Sequence, residues 1–251
     1  MDAPFSDHEL ERYARHIILR EIGGLGQKRL RQSRVAVIGA GGLGSAVLLY
    51  LAAAGVGRIV IFDNDVVSLS NLQRQVIFAQ EDLGVPKVAA AARAIRKRNE
   101  NIEVECRQER FSEASDCAEI TVLIDGSDNF QTRRMSNGWS LKHNVPLVFG
   151  AMGPWEGQVS IFQPGKNAPC YACLFPDDPA PGTAPSCAEG GVVGALAGVI
   201  GAMMALETIK LIAEAGESLT GRLLLFDALA FECRTISFNR RFDCTVCSAQ
   251  G

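Results

Sequence analysis

Histidine is nearly missing from this 251-residue chain, which has only His8, His16 and His143. None lies in the segments read below as a binding rim, so the chemistry is not expected to turn on a histidine base. A charge excess of either sign is missing too. Twenty-five lysines and arginines against 28 acidic residues give a net charge of −3, which is not the balance of a nucleic-acid-binding protein. The N-terminus, Met1-Asp-Ala-Pro-Phe-Ser-Asp, lacks a basic-then-apolar leader. The longest uncharged apolar run, Gly190 to Leu206, falls short of the roughly 20 residues of a membrane span. It carries five glycines and leads into Glu207 and Lys210, so a buried helix is expected there and no membrane partner. These absences point to the cytoplasm. In that compartment eight cysteines suggest metal or thiol chemistry rather than a disulfide frame.

What is present begins with Val35-Ala-Val-Ile-Gly39-Ala-Gly41-Gly42-Leu-Gly44. A β-branched apolar run stops at glycines and a helical pattern follows at once, the first strand–turn–helix of a nucleotide-binding α/β domain. Gly39 and Gly41 permit a tight turn and bring backbone N–H groups close to a phosphate. Gly44 lets the helix pack against the strand. The second strand, Arg58 to Asp63, ends on an acid about 20 residues beyond the glycines, where a carboxylate bonds a ribose hydroxyl.

Residues 6–32 read as one basic helix, with Ser6 and Glu9 as a capping box. After Asp63 the chain stays polar and turn-like through Asn71-Leu-Gln-Arg74-Gln75, a functional loop. Gly84-Val-Pro86-Lys87 then opens a helix to about Asn99. Lys87 there sits against the helix dipole, which suits a site with an anion nearby. Strands are expected at 102–107, 120–125, 145–150 and 157–163, with a closing antiparallel pair at 223–227 and 233–238. A helix follows Gly126-Ser-Asp128-Asn129 as far as His143. Asp128 either lines the rim or caps that helix. A Gly/Ala-rich helix spans 192–212, where Gly194, Gly198 and Gly201 allow close packing. The Pro/Gly-rich segment from Asp177 to Gly191 has the length of a lid or crossover, and it holds Cys187, a loop thiol.

Two C-x-x-C pairs, Cys170/Cys173 and Cys244/Cys247, fit a structural zinc site of four thiolates. The expected architecture is α/β: a Rossmann-like mixed sheet, parallel in its first half and antiparallel in its second, flanked by helices. It forms a single domain over 1–251, comprising an arm (1–33), a nucleotide-binding half (34–151) and a carrier-binding and zinc half (152–251).

Together these motifs resemble the ThiF/MoeB/HesA family of ubiquitin-activating-enzyme-like adenylyltransferases. The resemblance rests on Arg12-Tyr-Ala-Arg15-His-Ile-Ile-Leu, the glycine turn, Asp63 through Gln75, Gly84-Val-Pro-Lys87, Asp125-Gly-Ser-Asp-Asn129, both cysteine pairs and Gly198-Val-Ile-Gly201. Length and motif order resemble the molybdopterin branch most. The family implies ATP as substrate, with Gly39, Gly41, Gly42, Gly44, Asp63, Asp65, Ser70, Asn71, Arg74, Gln75, Lys87, Asp128 and Asn129 around the nucleotide. Asn71, Arg74 and Lys87 would grip phosphates and Asp128 would hold Mg²⁺. Arg15 would reach into the second subunit of a homodimer. The implied reaction is adenylylation, with pyrophosphate released, of the Gly-Gly carboxylate of a ubiquitin-like sulfur-carrier protein. A sulfur donor then forms a thiocarboxylate, a stage in which Cys187 stands where some members use a loop cysteine. No rhodanese-like domain follows Cys247, so a separate donor, a cysteine desulfurase or rhodanese, is expected. Gly126-Ser departs mildly from the common Cys-Thr. A thiamine-pathway or peptide-modifying relative, an NAD-dependent oxidoreductase and a zinc-bearing scaffold are the competing readings.

Overall fold

The computed structural model describes residues 4–117, 119–165, 168–178 and 190–248. At its centre is one eight-stranded sheet. The strands are β1 (Arg34–Ile38), β2 (Arg58–Phe62), β3 (Glu103–Arg107), β4 (Val122–Asp125), β5 (Leu147–Met152), β6 (Glu156–Phe162), β7 (Arg222–Asp227) and β8 (Glu232–Ser237), in the order β3-β2-β1-β4-β5-β6-β7-β8. Pairing from β3 to β5 is parallel. Pairing from β5 to β8 is antiparallel. The expected change of direction therefore falls at β5.

The helices are α1 (Asp7–Ile17), α2 (Gly23–Gln32), α3 (Gly42–Ala54), α4 (Lys87–Arg98), α5 (Phe130–His143), a single turn α6 (Tyr171–Leu174) and α7 (Gly194–Ala213). The sheet's inner strands are buried on both faces, as parallel strands under helices must be. Val35 and Val37 face one core with Leu48, Leu51, Ile95 and Ile200, contributed by α3, α4 and α7. Ala36 and Ile38, pointing the other way, join Phe149, Phe162, Trp139 and Tyr171. Each fully buried leucine or isoleucine here contributes about 1.5–3 kcal/mol.

The N-terminal arm is a correction. It is not one helix but two, broken at Ile18–Ile22, and Gly23 has φ +61°. The Gly23-Gly24 pair is a poor helix former and readily takes the left-handed conformation. The capping box of Ser6 and Glu9 is present as expected.

α3 and α7 run side by side in the same direction. Gly42 lies on Ala197, and Gly201 lies on the Leu43 carbonyl and Ala46. Gly194 abuts the Gln73 carbonyl, whereas at Gly198 nothing among the described residues lies within 4 Å of where a Cβ would stand. α7 has the length and apolarity of a membrane-crossing helix, but half of it is buried in the protein. Its buried Glu207 accepts the Leu219 N–H at 2.8 Å.

Gly44 is the tightest point near the rim. A Cβ there would lie 1.9 Å from the Gly39 carbonyl oxygen, a backbone atom that cannot step aside. Gly44→Ala should lower the melting temperature by about 10 °C or more, read by calorimetry, given several kcal/mol of strain in a chain of this size. Gly138→Ala in α5, with nothing within 4 Å, should be neutral or mildly stabilising.

Candidate active site

The strand order reverses between β1 and β4, the point at which open α/β sheets bind ligands outside the strands' carboxyl ends. Three turns meet there. The Gly126 N–H donates to the Ile38 carbonyl at 3.1 Å, tying the turn after β4 to β1. Gly39, at φ +87°, fits over Gly126. The loop after β2 crosses both α3 and α7: Gln75 approaches Gly41, the Arg74 stem approaches Gly42, and Gln73 meets Gly194. Neither Gly41 nor Val193 caps its helix with a side chain, and a helix N-terminus of that kind favours an anion.

Asp63 is fixed by two amides. Ala40 N–H donates to Oδ2 and Asp65 N–H to Oδ1, both at 2.9 Å. Burial pushes its carboxyl above the usual range, although the Lys87 ammonium and the two amides pull against it. Lys87 is buried at the head of α4, 5 % exposed, and its Nζ donates to Asp65 Oδ2 at 2.9 Å. It is not the ordinary surface lysine that its position in the sequence alone allows. A short 3₁₀ turn, Leu69–Asn71, shapes the loop. Asn71 Oδ1 accepts the Ser68 N–H, the Ser68 and Ser70 hydroxyls pair at 3.1 Å, and Arg74 donates to the Ser70 carbonyl at 3.0 Å. The buried Gln75 Oε1 has no hydrogen-bond partner among the described residues.

Across the crevice, Asn129 caps α5 by accepting the Thr132 N–H at 2.9 Å. The adjacent Asp128 is exposed and takes no part in the cap. An exposed carboxylate is the donor type a Mg²⁺ ion takes.

The structure brings Gly39, Gly41, Gly42 and Gly44 together with Arg74 and Gln75, and Asp63 together with Asp65 and Lys87; Ser70 and Asn71 lie on the loop after β2, and Asp128 and Asn129 on the turn after β4. It does not gather Arg15, which is exposed on α1. Its neighbour Tyr13 packs beneath Gly55 at the opposite end of α3, roughly 20 Å along the helix. Cys187 lies outside the described residues.

Arg133 was not anticipated from sequence. It is 8 % exposed, with its guanidinium 5.1 Å from the Phe130 ring and 5.5 Å from Phe149. It donates to the Ser127 carbonyl at 3.3 Å, and its buried Nε has no hydrogen-bond partner among the described residues. The one sequence signal was its place a helical turn after Asn129, on the same face.

The four cysteines lie apart from the crevice. Cys170–Cys173, Cys170–Cys244 and Cys173–Cys247 are separated by 3.9, 3.8 and 3.5 Å. These are far longer than a disulfide and match the sulfur–sulfur edge of about 3.8 Å in a tetrahedral zinc site. All four are buried. Desolvation raises the Cys244 thiol, but the amides of Cys247 and Val246 outweigh it and bring it down to about 7, whereas burial pushes Cys170 up. A zinc ion would hold these thiolates closed, with no open position for catalysis.

Among known proteins, the ThiF family pattern matches residues 13–246. The SAMP-activating enzyme E1 of Haloferax volcanii is 45% identical over 247 residues, 97% of this chain and 90% of the relative. The sulfur carrier protein adenylyltransferase of Thermus thermophilus is 43% identical over 251 residues, 97% of this chain and 92% of the relative. Among solved structures, E. coli MccB with MccA has a TM-score of 0.82 at 23% identity, covering 97% of this chain and 75% of that one, a likeness of fold.

Proposed function

The chain belongs to the ThiF family and is an adenylyltransferase, and from that membership we propose that it uses ATP to adenylylate the C-terminal Gly-Gly carboxylate of a ubiquitin-like sulfur-carrier protein. The observation that carries this reading is the buried Lys87 ammonium beside Asp63 and Asp65, facing a glycine turn overlaid by Arg74. A dehydrogenase has no use for that cation or that loop.

The carrier's terminal carboxylate is ionised at pH 7 and needs no base, which suits a rim without histidine. The task is to bring an anion to the α-phosphate of a polyanion and let pyrophosphate depart. In this reading the amides of Gly41 and Gly42 cradle phosphate oxygens. Lys87 and Arg74 offset the charge that builds on the leaving group, and Asp63 orients the ribose. Asp128 would hold Mg²⁺, which supplies further neutralisation when bound.

The carrier has a surface beside the crevice. The turns at Trp155 and at Leu229–Phe231 meet, with Ala228 N–H donating to the Trp155 carbonyl at 2.8 Å, and all three named side chains are exposed. Because Arg15 is remote from its own rim, a homodimer in which it serves a second copy's crevice belongs to the proposal. So does a separate sulfur donor of the desulfurase or rhodanese type. A cytoplasmic setting keeps the four thiols reduced for metal. Length and motif order favour the molybdenum-cofactor carrier over the thiamine one.

The test is ATP–pyrophosphate exchange with each candidate carrier. Exchange should require the Gly-Gly protein, and Arg74→Ala should lower it by about 10²-fold or more. Exchange that ignores the carrier, or survives that substitution, refutes the reading.

A further inference from the structure

The turn that carries Asp128 is held by two buried side chains of opposite charge. Asp125, at the end of β4, is fully buried. Its Oδ1 accepts the Ser127 N–H at 2.9 Å and its Oδ2 accepts the Ser136 hydroxyl, which ties β4 to α5. Arg133, also on α5, donates to the Ser127 carbonyl at 3.3 Å while its guanidinium lies against the Phe130 and Phe149 rings. Both backbone groups of one residue are therefore taken by buried charges, the N–H by a carboxylate and the carbonyl by a guanidinium. The Ser127 hydroxyl has no hydrogen-bond partner among the described residues, so its main chain carries the hold. On either side the turn is pinned again, by the Gly126 N–H on the Ile38 carbonyl at 3.1 Å and by Asn129 capping α5. Between these fixed points Asp128 is exposed.

We propose that Arg133 and Asp125 are positioning residues that hold the Asp128 carboxylate in place for Mg·ATP. Neither touches the reacting atoms. Arg133 fixes the plane of the 127–128 peptide, from which the Asp128 side chain hangs, and Asp125 fixes the peptide before it. Burying two charges is costly unless each is paired and hydrogen-bonded, and the buried Arg133 Nε has no hydrogen-bond partner among the described residues. Apolar groups of the same shape would brace the fold as well or better. The charges have a use if the turn must keep one setting, because a charge-assisted hydrogen bond is roughly twice as strong as a neutral one. A carboxylate on a backbone held that way meets a cation without first losing conformational freedom. The inference rests on the functional reading above, which gives Asp128 its part in holding Mg²⁺.

The metal dependence of ATP binding tests this, by titration calorimetry of the whole chain with and without Mg²⁺. The wild type should bind ATP about tenfold or more tightly when Mg²⁺ is present. Asp128→Asn should lose most of that gain. So should Arg133→Met, which keeps an apolar stem against the two rings and loses the donor to Ser127, while its affinity for ATP without Mg²⁺ changes little. In the double variant Arg133→Met should add nothing further, because the carboxylate it serves is gone. In the nucleotide-free protein the amides of 127–129 should exchange faster in Arg133→Met than in the wild type. Its KM for Mg·ATP in carrier-dependent exchange should rise about ten- to a hundredfold. If Arg133→Met does not fold, Arg133→Lys, which keeps the charge without the planar fork, takes its place with the same expectations. The proposal falls if the Arg133 variant keeps the wild-type gain from Mg²⁺ while Asp128→Asn loses it, if the two effects add, or if only the melting temperature drops. A wild type that gains nothing from Mg²⁺ overturns the part given to Asp128 and the proposal with it, whereas one that binds no ATP refutes the functional reading itself.

Discussion

Lys87→Ala should reduce carrier-dependent ATP–pyrophosphate exchange by about 10²–10³-fold while the protein still folds. Loss of one preorganised donor aimed at developing charge has that size, and here the lost donor is a full cation whose side chain is 7 % exposed. A charge in that position is screened weakly by water, so it acts strongly on a phosphate. Its removal also leaves Asp63 and Asp65 facing the polyphosphate uncompensated. The effect on the fold is small by comparison. The side chain of Asp65, its ion-pair partner, is 61 % exposed and can return to water, and pairs of that kind contribute about 0–1 kcal/mol. Lys87→Met, which keeps the apolar stem, should melt like the wild type and be as inactive as the alanine variant. Circular dichroism melts beside exchange rates would separate the two effects. Wild-type exchange in both variants would remove Lys87 from the mechanism.

The second large effect concerns the cysteines. Metal analysis of the purified protein should find one zinc per chain. Chelation, or Cys244→Ser, should lower the melting temperature by about 10 °C or more. Four-thiolate zinc binding in small domains is worth about 10–16 kcal/mol at neutral pH, as large as the whole stability of a typical domain. Arg240 donates to the Cys247 carbonyl at 2.8 Å and Ser248 N–H to Cys244 at 3.1 Å, while Phe242 and Val246 are exposed. An unchanged melting curve after chelation, with no zinc found, would leave four crowded thiols without an explanation.

The strands were legible because their burial is written in composition. Runs such as Arg58-Ile-Val-Ile-Phe62 are apolar throughout, as strands covered on both faces must be. The glycine turn, Asp63 and the cysteine pairs were legible because each answers a local geometric demand. Other features depend on packing between distant segments. The arm was misread as one helix because its charges mask the break that Gly23-Gly24 imposes. Asp128 as the cap of α5 was an open reading, and the structure gives the cap to Asn129, whose backbone is extended at φ −135° and ψ 145°. Lys87 gave no sign of its burial, which comes from the strap of Asp65–Val67 laid against Val85–Lys87. Arg133 is an ordinary letter in the sequence, and it acquires significance only once α5 lies against Phe149 of β5.

The uninterrupted ladder from β4 through β5 to β6 has a mechanical consequence. The parallel and antiparallel halves of the sheet share one stiff plate, so among the described residues no hinge separates the glycine-turn end from the cysteine end. Under the proposed function, enclosure of ATP cannot come from one half of the sheet rotating onto the other. It has to come from surface loops, the α1 arm or another molecule settling over a crevice whose floor stays still.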